Sequence, residues 1–469
     1  MARSHEVDFT NGSIFKKMFL YALPIIGVNI LQLLFTAADV AVLGIFTNDQ
    51  AVAAVGSTAQ ITNLMIGFFV GLSVGANVLV ARAVGARDAR RASRLVGTSV
   101  IVSVIFGTVV MIVGLILTED MLRWVNCAES VLPYAAKYLR IYFLGMPIVM
   151  LYNFCASILR AVGDTLRPMI FLAVGGVLNI ALNIFFIVVV GLDVEGVAIA
   201  TVSSQLVSAV GALVIMVRGD GYSRIRRDSL KISVGELRDI FFIGLPMGLS
   251  KCTFSLANVI IMSSLNALGE EIMTANSIVK EFDAMILEVL HGFTLASLAV
   301  ISQNLGAGKM DRIKKTVFTS FGLVTGVGTA MGIIFYFVAP MLCGIMTDTP
   351  EVLEYCMVRV VIVGVPYVLC GIANVLQESL RGLGYSNTSL MISIFANIAF
   401  RIMWMFLVYP ALYSETNIRN NYGYICLVWP VSWVIMILVG IPILVLMFKK
   451  TKKRIENEQK SRVCESVSA

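Results

Sequence analysis

Long uninterrupted apolar runs are the feature that most limits what this chain can fold into. They recur from one end of the 469-residue sequence to the other, and each is long enough to cross a hydrocarbon core about 30 Å thick. Because no water is present there to satisfy backbone N–H and C=O groups, such segments must be helices. The composition agrees, since 58% of the residues are hydrophobic and only 14% are charged. The sequence therefore predicts an all-α membrane protein.

The apolar runs predict twelve transmembrane helices. Their approximate ranges are 18–46, 51–80, 95–117, 131–159, 168–190, 195–217, 237–266, 273–303, 316–341, 352–379, 388–410 and 423–448. The first run follows Lys16 and Lys17, greatly exceeds the core of a signal peptide and ends in no small-residue cleavage site. We therefore interpret it as a retained helix.

The positive charges predict the orientation of the chain. An even number of spans places both termini on one side, and Lys and Arg gather in the N-terminal segment, in alternate loops and in the tail. The opposite loops carry only Arg123 and Arg419. By the positive-inside rule both termini are cytoplasmic. We expect a multi-pass protein of the bacterial inner membrane. Orientation explains the net charge of +7 better than nucleic-acid binding does.

An internal repeat divides the chain into two related halves. Four features recur in the same order at offsets of 219 to 222 residues: Pro24 with Pro246, Gly71 with Gly292, Gly145-x-Pro147 with Gly364-x-Pro366, and Asn153, Arg160 and Gly163 with Asn374, Arg381 and Gly384. Six spans in each half give both halves the same orientation, related by an axis along the membrane normal. We predict an N-terminal lobe (1–217), a cytoplasmic linker (218–238), a C-terminal lobe (239–448) and a basic tail (449–469).

Several motifs together resemble the multidrug and toxic compound extrusion (MATE) family over essentially the whole chain. They are Pro24, Asp39 before Gly44, Gly71 to Gly85, Arg160-Ala-x-Gly163-Asp164, Asn179-x-x-x-Asn183, Gly196-x-Ala198-x-Ala200-Thr201 and Ser302-Gln303-Asn304-x-Gly306-Ala307-Gly308. The resemblance implies two six-helix lobes that form a V-shaped cleft. It also implies ion-driven export of organic, cationic drugs and dyes by alternating access.

Oxygen-bearing side chains lie at a common depth in four spans of the first half. Asp39, Asn183, Thr201 and Tyr138 each lie about six or seven residues, or roughly 10 Å, from the outer end of their span, with Asn179 one turn below Asn183. An ionisable residue inside a bilayer is costly, which makes Asp39 the first functional candidate. The resemblance places a coupling-ion site here. It would bind H⁺, or Na⁺ through Asp39, Asn179, Asn183 and Thr201; the alternative is that these groups only hold helices together.

The second half lacks the corresponding carboxylate. At the repeat offsets the partner of Asp39 is Ile260 or Ile261, and when Asn179 is aligned with Asn397 the partner of Asn183 is Arg401. A fixed positive charge at that position would repel a cation. We therefore expect ion coupling to belong to the first half alone.

The second half keeps other charges inside its spans. Lys251, Glu281, Glu288, Glu378 and Arg401 are candidates for a substrate cleft. The alternative is that they form interhelical salt bridges, such as Lys251 with Glu288 or Glu378 with Arg401. The sequence does not separate these two interpretations.

Other function classes are less well supported. The chain has no HExxH, GxSxG or complete Walker A motif, which argues against an enzyme or an ATP-driven pump. A lipid-linked sugar flippase of the same superfamily is the main alternative, although few Lys or Arg residues are available to bind phosphates. The eight cysteines are scattered and form no metal-binding spacing. We expect no cofactor beyond the coupling ion, a small-molecule substrate of unknown identity, and a monomer in the bilayer.

Overall fold

The computed structural model describes residues 6–47 and 49–468, apart from the side chains of Asp49, Gln60 and residues 254–257, 259–260, 458–459 and 461–468. Within this part of the chain the regular structure is entirely helical. The helices of the first half are α1 (Ile14–Phe46), α2 (Asp49–Gly85), α3 (Ala89–Trp124), α4 (Leu132–Leu144), α5 (Met146–Ala161), α6 (Leu166–Ile184) and α7 (Val194–Arg218).

The second half repeats this order. Its helices are α8 (Val234–Asn266), α9 (Glu270–Gly306), α10 (Met310–Met346), α11 (Pro350–Arg359), α12 (Tyr367–Leu383), α13 (Ser386–Ser393), α14 (Phe400–Met403), α15 (Tyr409–Leu412), α16 (Ile418–Cys426) and α17 (Val428–Ser468). The predicted spans fall within these helices to a few residues, which confirms an all-α membrane protein.

The number of membrane-crossing helices is close to the predicted twelve. Among the described residues, ten helical segments are long and apolar enough to cross a membrane, and α4 with α5 adds an eleventh as one span bent by 51°. The remaining segment is α8, whose 33 residues include several with undescribed side chains. The count of twelve therefore stays a prediction.

The helices break where the sequence weakens the backbone ladder. Gly145, followed by Pro147, separates α4 from α5, because proline supplies no N–H to the preceding turn. In the second half a π-helical turn, Val360–Gly364, lies at the corresponding position, just before Pro366. Further π-helical turns occupy Phe185–Val189, Ile394–Ala399 and Trp404–Val408. Such turns are frequent at functional sites.

The chain packs as two compact units. Unit 1 comprises Met1–Phe9 and Leu20–Gly248, and unit 2 comprises Thr10–Phe19 and Leu249–Ala469. Unit 1 therefore includes the loop that we predict as a linker and the first half of α8, while the first turn and a half of α1 belongs to unit 2. The predicted domain ranges remain a proposal.

Glycines explain why the first half of α8 belongs to unit 1. A Cβ at Gly71 of α2 would lie 2.5 Å from the Gly248 Cα, and one at Gly75 would lie 2.7 Å from the Gly244 Cα. Two pairs of small residues spaced four apart thus bring the backbones of α2 and α8 into contact, as in other membrane helix pairs.

Candidate coupling site and the cavity of unit 2

Asp39 of α1 and Asn183 of α6 are in direct contact in unit 1. The Asn183 Nδ2 donates a hydrogen bond to the Asp39 Oδ1 at 2.5 Å. Asn183 is fully buried, while Asp39 is half-buried. The two residues are 144 positions apart in sequence. Their amide and carboxylate therefore join α1 and α6, two helices that are long and apolar enough to cross a membrane.

The polar contacts continue from Asn183 to α7. Asn183 Nδ2 lies 3.5 Å from the Asn179 Oδ1, and the Asn179 Nδ2 donates to the Thr201 Oγ1 at 3.4 Å. The Thr201 hydroxyl in turn donates to the Val197 carbonyl oxygen at 2.9 Å. The structure therefore brings Asp39, Asn183, Asn179 and Thr201 together as one chain of neighbouring oxygen and amide groups.

Tyr138 lies at the edge of this cluster. Its ring is buried and stacks on Tyr142, with ring centroids 6.2 Å apart and planes inclined by 12°. It is close enough to Asp39 for the two groups to interact electrostatically. Tyr138 thus contributes mainly an apolar wall beside the carboxylate.

A glycine allows α1 to approach α6 at this level. A Cβ at Gly176 would lie only 1.8 Å from the Phe35 Cε2, so the ring of Phe35 occupies the space that a side chain would fill. Phe35 lies one turn before Asp39, and Gly176 lies two turns before Asn183. The close approach at Gly176 therefore positions the two polar residues for contact, and the π-helical turn Phe185–Val189 begins just beyond them.

One hydrogen-bond acceptor of this cluster is buried and unpaired in the described structure. The Asn183 Oδ1 is buried and has no hydrogen-bond partner within the part of the chain that the structure describes. A buried acceptor without a partner loses about 1–3 kcal/mol, so it would gain from a proton donor or a cation. Carboxylate, amide and hydroxyl oxygens suit H⁺ or a hard cation such as Na⁺. Asp39, Asn179, Asn183 and Thr201 are the residues that would hold it.

Unit 2 has a different arrangement at the corresponding helices. The buried Arg401 of α14 donates from Nη1 to the Asn258 Oδ1 of α8 at 3.2 Å. Its Nη2 donates to the Ser432 Oγ of α17, also at 3.2 Å. A guanidinium therefore occupies the position in unit 2 that an amide and a carboxylate share in unit 1.

Arginines within unit 2 pair with its buried acids. Asp283 lies 2.8 Å from the Arg359 Nη2, and Glu378 lies 2.6 Å from the Arg381 Nη1. Sequence reasoning proposed Arg401 as the partner of Glu378 and missed the pair of Asp283 with Arg359. The three-residue spacing of Glu378 and Arg381 on one helix could have predicted that these two residues form an ion pair.

The other candidate residues of the second half are not members of these two arginine pairs. Glu288 is 3.6 Å from the His291 Nδ1, and Lys251 lies within electrostatic range of both Glu288 and Glu378. Glu281 is exposed on α9. Lys251, Glu288 and Glu378 all line a cavity of about 350 Å³ inside unit 2, whereas Glu281 and Arg401 are not among its lining residues.

The sequence matches a known family in both halves. The MatE family model matches residues 24–185 and 246–407, which confirms the duplication. The probable multidrug resistance protein YoeA of Bacillus subtilis is 26% identical over 438 residues, covering 89% of this chain and 94% of the relative. A FAD transporter of Shewanella oneidensis is 23% identical over 350 residues, covering 74% of this chain and 77% of the relative.

The fold also matches a solved structure. It is the outward-facing conformation of a multidrug resistance MATE family transporter of the MOP superfamily, with a TM-score of 0.87 at 22% identity, covering 96% of this chain and all of that one. The likeness shows a shared two-lobe helical fold, and the family match extends over most of the chain. The chain therefore belongs to the MATE family of transporters.

Proposed function

We propose that the protein is a secondary active antiporter that exports organic compounds in exchange for H⁺ or Na⁺. Its family membership makes it a transporter and not an enzyme. Uphill export then needs an ion gradient, because the sequence offers no complete Walker A motif to bind ATP. We further propose a monomer in the bacterial inner membrane with both termini in the cytoplasm, as the distribution of Lys and Arg predicts.

The contact between Asp39 and Asn183 is the observation that carries this proposal. In the described part of unit 1, the hydrogen bond from Asn183 is the contact that the Asp39 carboxylate makes, and no Lys or Arg forms an ion pair with it. A carboxylate without a fixed counter-charge inside a membrane protein is stabilised by binding a mobile cation. Binding and release of that cation would change the charge of unit 1 by one.

Coupling follows if the charge of Asp39 decides what else unit 1 binds. With the cation bound, the site is neutral and does not attract an organic cation. Without the cation, the negative carboxylate attracts a cationic substrate. The state with neither bound is unfavourable, because the carboxylate then has no counter-charge. Alternating access between two lobes would then exchange one cation for the other across the membrane. The shared scaffold of the repeats is suited to such a motion.

The names of the relatives support organic substrates without fixing their charge. One relative is named for multidrug resistance, whereas another is named for transport of FAD, which carries phosphates. We expect cationic drugs and dyes to be the substrates and to be exported through the first half. Either H⁺ or Na⁺ suits the site, because Asn183 stands where many MATE members with the fuller site have a second acid, and the amide lowers the negative charge.

Dye efflux from proteoliposomes tests the proposal. Purified wild type and Asp39→Asn are reconstituted, loaded with a cationic fluorescent dye, and given either a H⁺ or a Na⁺ gradient. We expect one of the two gradients to drive uphill efflux by the wild type and neither to drive it in Asp39→Asn. Uphill transport by Asp39→Asn at the wild-type rate would overturn the assignment of Asp39. Failure of both gradients with the wild type would instead favour the flippase.

A further inference from the structure

Basic residues near the start of α3 have fixed counter-charges in unit 1. The Arg91 Nε lies 3.4 Å from the Glu236 Oε2, and the Arg91 Nη2 lies 3.0 Å from the Asp239 Oδ2. The Arg94 Nη2 lies 3.4 Å from the other oxygen of Glu236. Both acids belong to the first turns of α8. The starts of α3 and α8 are therefore joined by a network of ion pairs.

The repeat keeps the bases of this network in unit 2 and loses the acids. At the offset of 221 the two arginines of α3 correspond to Arg312 and Lys315 of α10. At the offset of 222 the two acids of α8 correspond to Ile14 and Lys17 of α1. An apolar and a basic residue thus stand where unit 1 has its counter-charges.

An open groove of about 820 Å³ lies at this place, between the start of α1 and α10 within unit 2. Ile14 and Phe15 line it from α1, and Lys314, Lys315 and Phe318 line it from α10. Both lysines are exposed, and neither forms an ion pair within 4 Å in the part of the chain that the structure describes. Their ammonium groups are therefore available to an external anion.

The remaining charged residues of the groove do not balance the lysines. Asp311 lies one turn before them and also forms no ion pair within 4 Å among the described residues. Even if its carboxylate neutralised one lysine, one positive charge would remain. Arg312 is left out of this count, because it already donates to the Asn304 Oδ1 at 3.2 Å and to the Gly12 carbonyl oxygen at 3.1 Å.

Exposed aromatic rings lie beside the lysines. Phe15 is 57% exposed and Phe318 is 65% exposed, and Phe318 shares a face of α10 with the lysines one turn before it. The helix α10 is long and apolar enough to cross a membrane, so this basic and aromatic surface lies near one end of a span. An anionic lipid can place its phosphate on the ammonium groups and its acyl chains on the rings. A soluble anion would gain nothing from the rings.

We propose that this groove binds an anionic phospholipid, with Lys314 and Lys315 around its phosphate and Phe15 and Phe318 along its acyl chains. The lipid phosphate takes the place that two carboxylates fill in unit 1, and it joins the start of α1 to α10. The proposal depends neither on the transported substrate nor on the ion that drives transport.

Native mass spectrometry of the delipidated full-length protein in detergent tests the proposal. The probes are phosphatidylglycerol, phosphatidylcholine with the same acyl chains, and glycerol 3-phosphate. We expect the first phosphatidylglycerol to bind about tenfold or more tightly than phosphatidylcholine, because each lysine near an anionic lipid contributes about fivefold. Equal affinity for the two lipids would overturn the proposal. Binding of glycerol 3-phosphate as tight as that of phosphatidylglycerol would also overturn it, in favour of a soluble anion.

Two double variants locate the site. Lys314→Gln with Lys315→Gln should weaken binding of phosphatidylglycerol about tenfold or more. Arg87→Gln with Arg90→Gln removes two exposed charges from the corresponding loop of unit 1 and should leave this binding unchanged. If the lysine variant bound phosphatidylglycerol as the wild type does, the assigned groove would be wrong.

A single substitution tests whether the lipid replaces the missing acids. Ile14→Glu introduces the carboxylate that unit 1 has at the equivalent position, and it should weaken binding of phosphatidylglycerol about tenfold. Ile14→Gln has nearly the same size without the charge and should retain binding. Wild-type affinity in Ile14→Glu would contradict the proposal. These results are independent of the vesicle efflux that tests Asp39.

Discussion

The same pair of helices makes a polar contact in each unit, but the charge of the contact is reversed. In unit 1 the Asn183 amide of α6 donates to the Asp39 carboxylate of α1. In unit 2 the Arg401 guanidinium of α14 donates to the Asn258 amide of α8. Duplication thus conserved a link between the first and fifth spans of each half, while one copy carries a negative charge and the other a positive one.

One duplicated scaffold thus holds two different arrangements of charge. The two buried acids of unit 2, Asp283 and Glu378, are paired with arginines on a neighbouring helix or turn, so their charge is balanced within the protein. Asp39 forms no ion pair with a Lys or Arg in the described part of unit 1, and we propose that a mobile cation balances its charge instead. We therefore propose that ion coupling belongs to the first half, while the buried acids of the second half form structural ion pairs.

The largest expected contrast is in stability. Asp283→Asn leaves the buried Arg359 without its counter-charge and should lower the free energy of unfolding by about 3–5 kcal/mol. Asp39→Asn removes a charge with no fixed partner and should leave stability unchanged or raise it. Thermal unfolding of both variants in detergent measures the difference. Equal destabilisation by the two substitutions would break the proposed division between the units.

Exchange of the two repeat-related residues should have the next largest effect. Asn183→Arg places a guanidinium beside Asp39, which would replace the mobile cation and reduce gradient-driven efflux about 100-fold, as a buried charge pair is worth several kcal/mol. Asn183→Gln keeps the amide and serves as the control. The reciprocal Arg401→Asn should retain coupling. Coupled efflux by Asn183→Arg at the wild-type rate would contradict the account.

A smaller effect is expected at the close approach of α1 and α6. Gly176→Ala introduces a Cβ that would collide with Phe35, and such overpacking costs about 1–3 kcal/mol. We expect α1 to shift and ion-driven efflux to fall about tenfold. The double variant Gly176→Ala with Phe35→Leu should recover part of the activity, because the ring is removed. Failure of every Phe35 replacement to restore efflux would mean that Gly176 acts in another way.

The smallest contrast concerns the two segments that lead into the repeats. Before α1, the Glu6 carboxylate accepts from the Tyr222 backbone N–H at 2.8 Å; before α8, the Thr98 hydroxyl donates to the Lys231 carbonyl at 3.3 Å. Burial raises the pKa of the Glu6 carboxyl, so proton binding favours the folded state. The resulting stabilisation is present at low pH and is lost as pH rises through the raised pKa.

A comparison of two variants measures this small effect. At neutral pH Glu6→Gln should therefore melt slightly higher than the wild type, by at most about 2 °C, and the difference should vanish at acid pH. Thr98→Val should change the melting temperature by the same amount at every pH. A Glu6→Gln difference that does not vary with pH would rule out this source of pH dependence.

The sequence predicts much of the scaffold because the signals are local. Apolar length and the glycine and proline positions locate the helices to a few residues, and common depth anticipates that Asp39 and Asn183 lie near each other. The partners of the unit 2 acids were harder to foresee, because the rotation of α9 and α11 decides that Asp283 meets Arg359. The glycine at 176 was equally inconspicuous, since only the position of Phe35 shows why no side chain fits there.

Ion binding to the purified protein tests the central claim most directly. The number of coupling ions bound per molecule is measured for the wild type, Asp39→Asn and Arg401→Asn, by proton uptake or by binding of radioactive Na⁺. The account predicts one ion for the wild type, none for Asp39→Asn and one for Arg401→Asn. An ion still bound by Asp39→Asn with wild-type affinity would contradict the assignment of coupling to the first half.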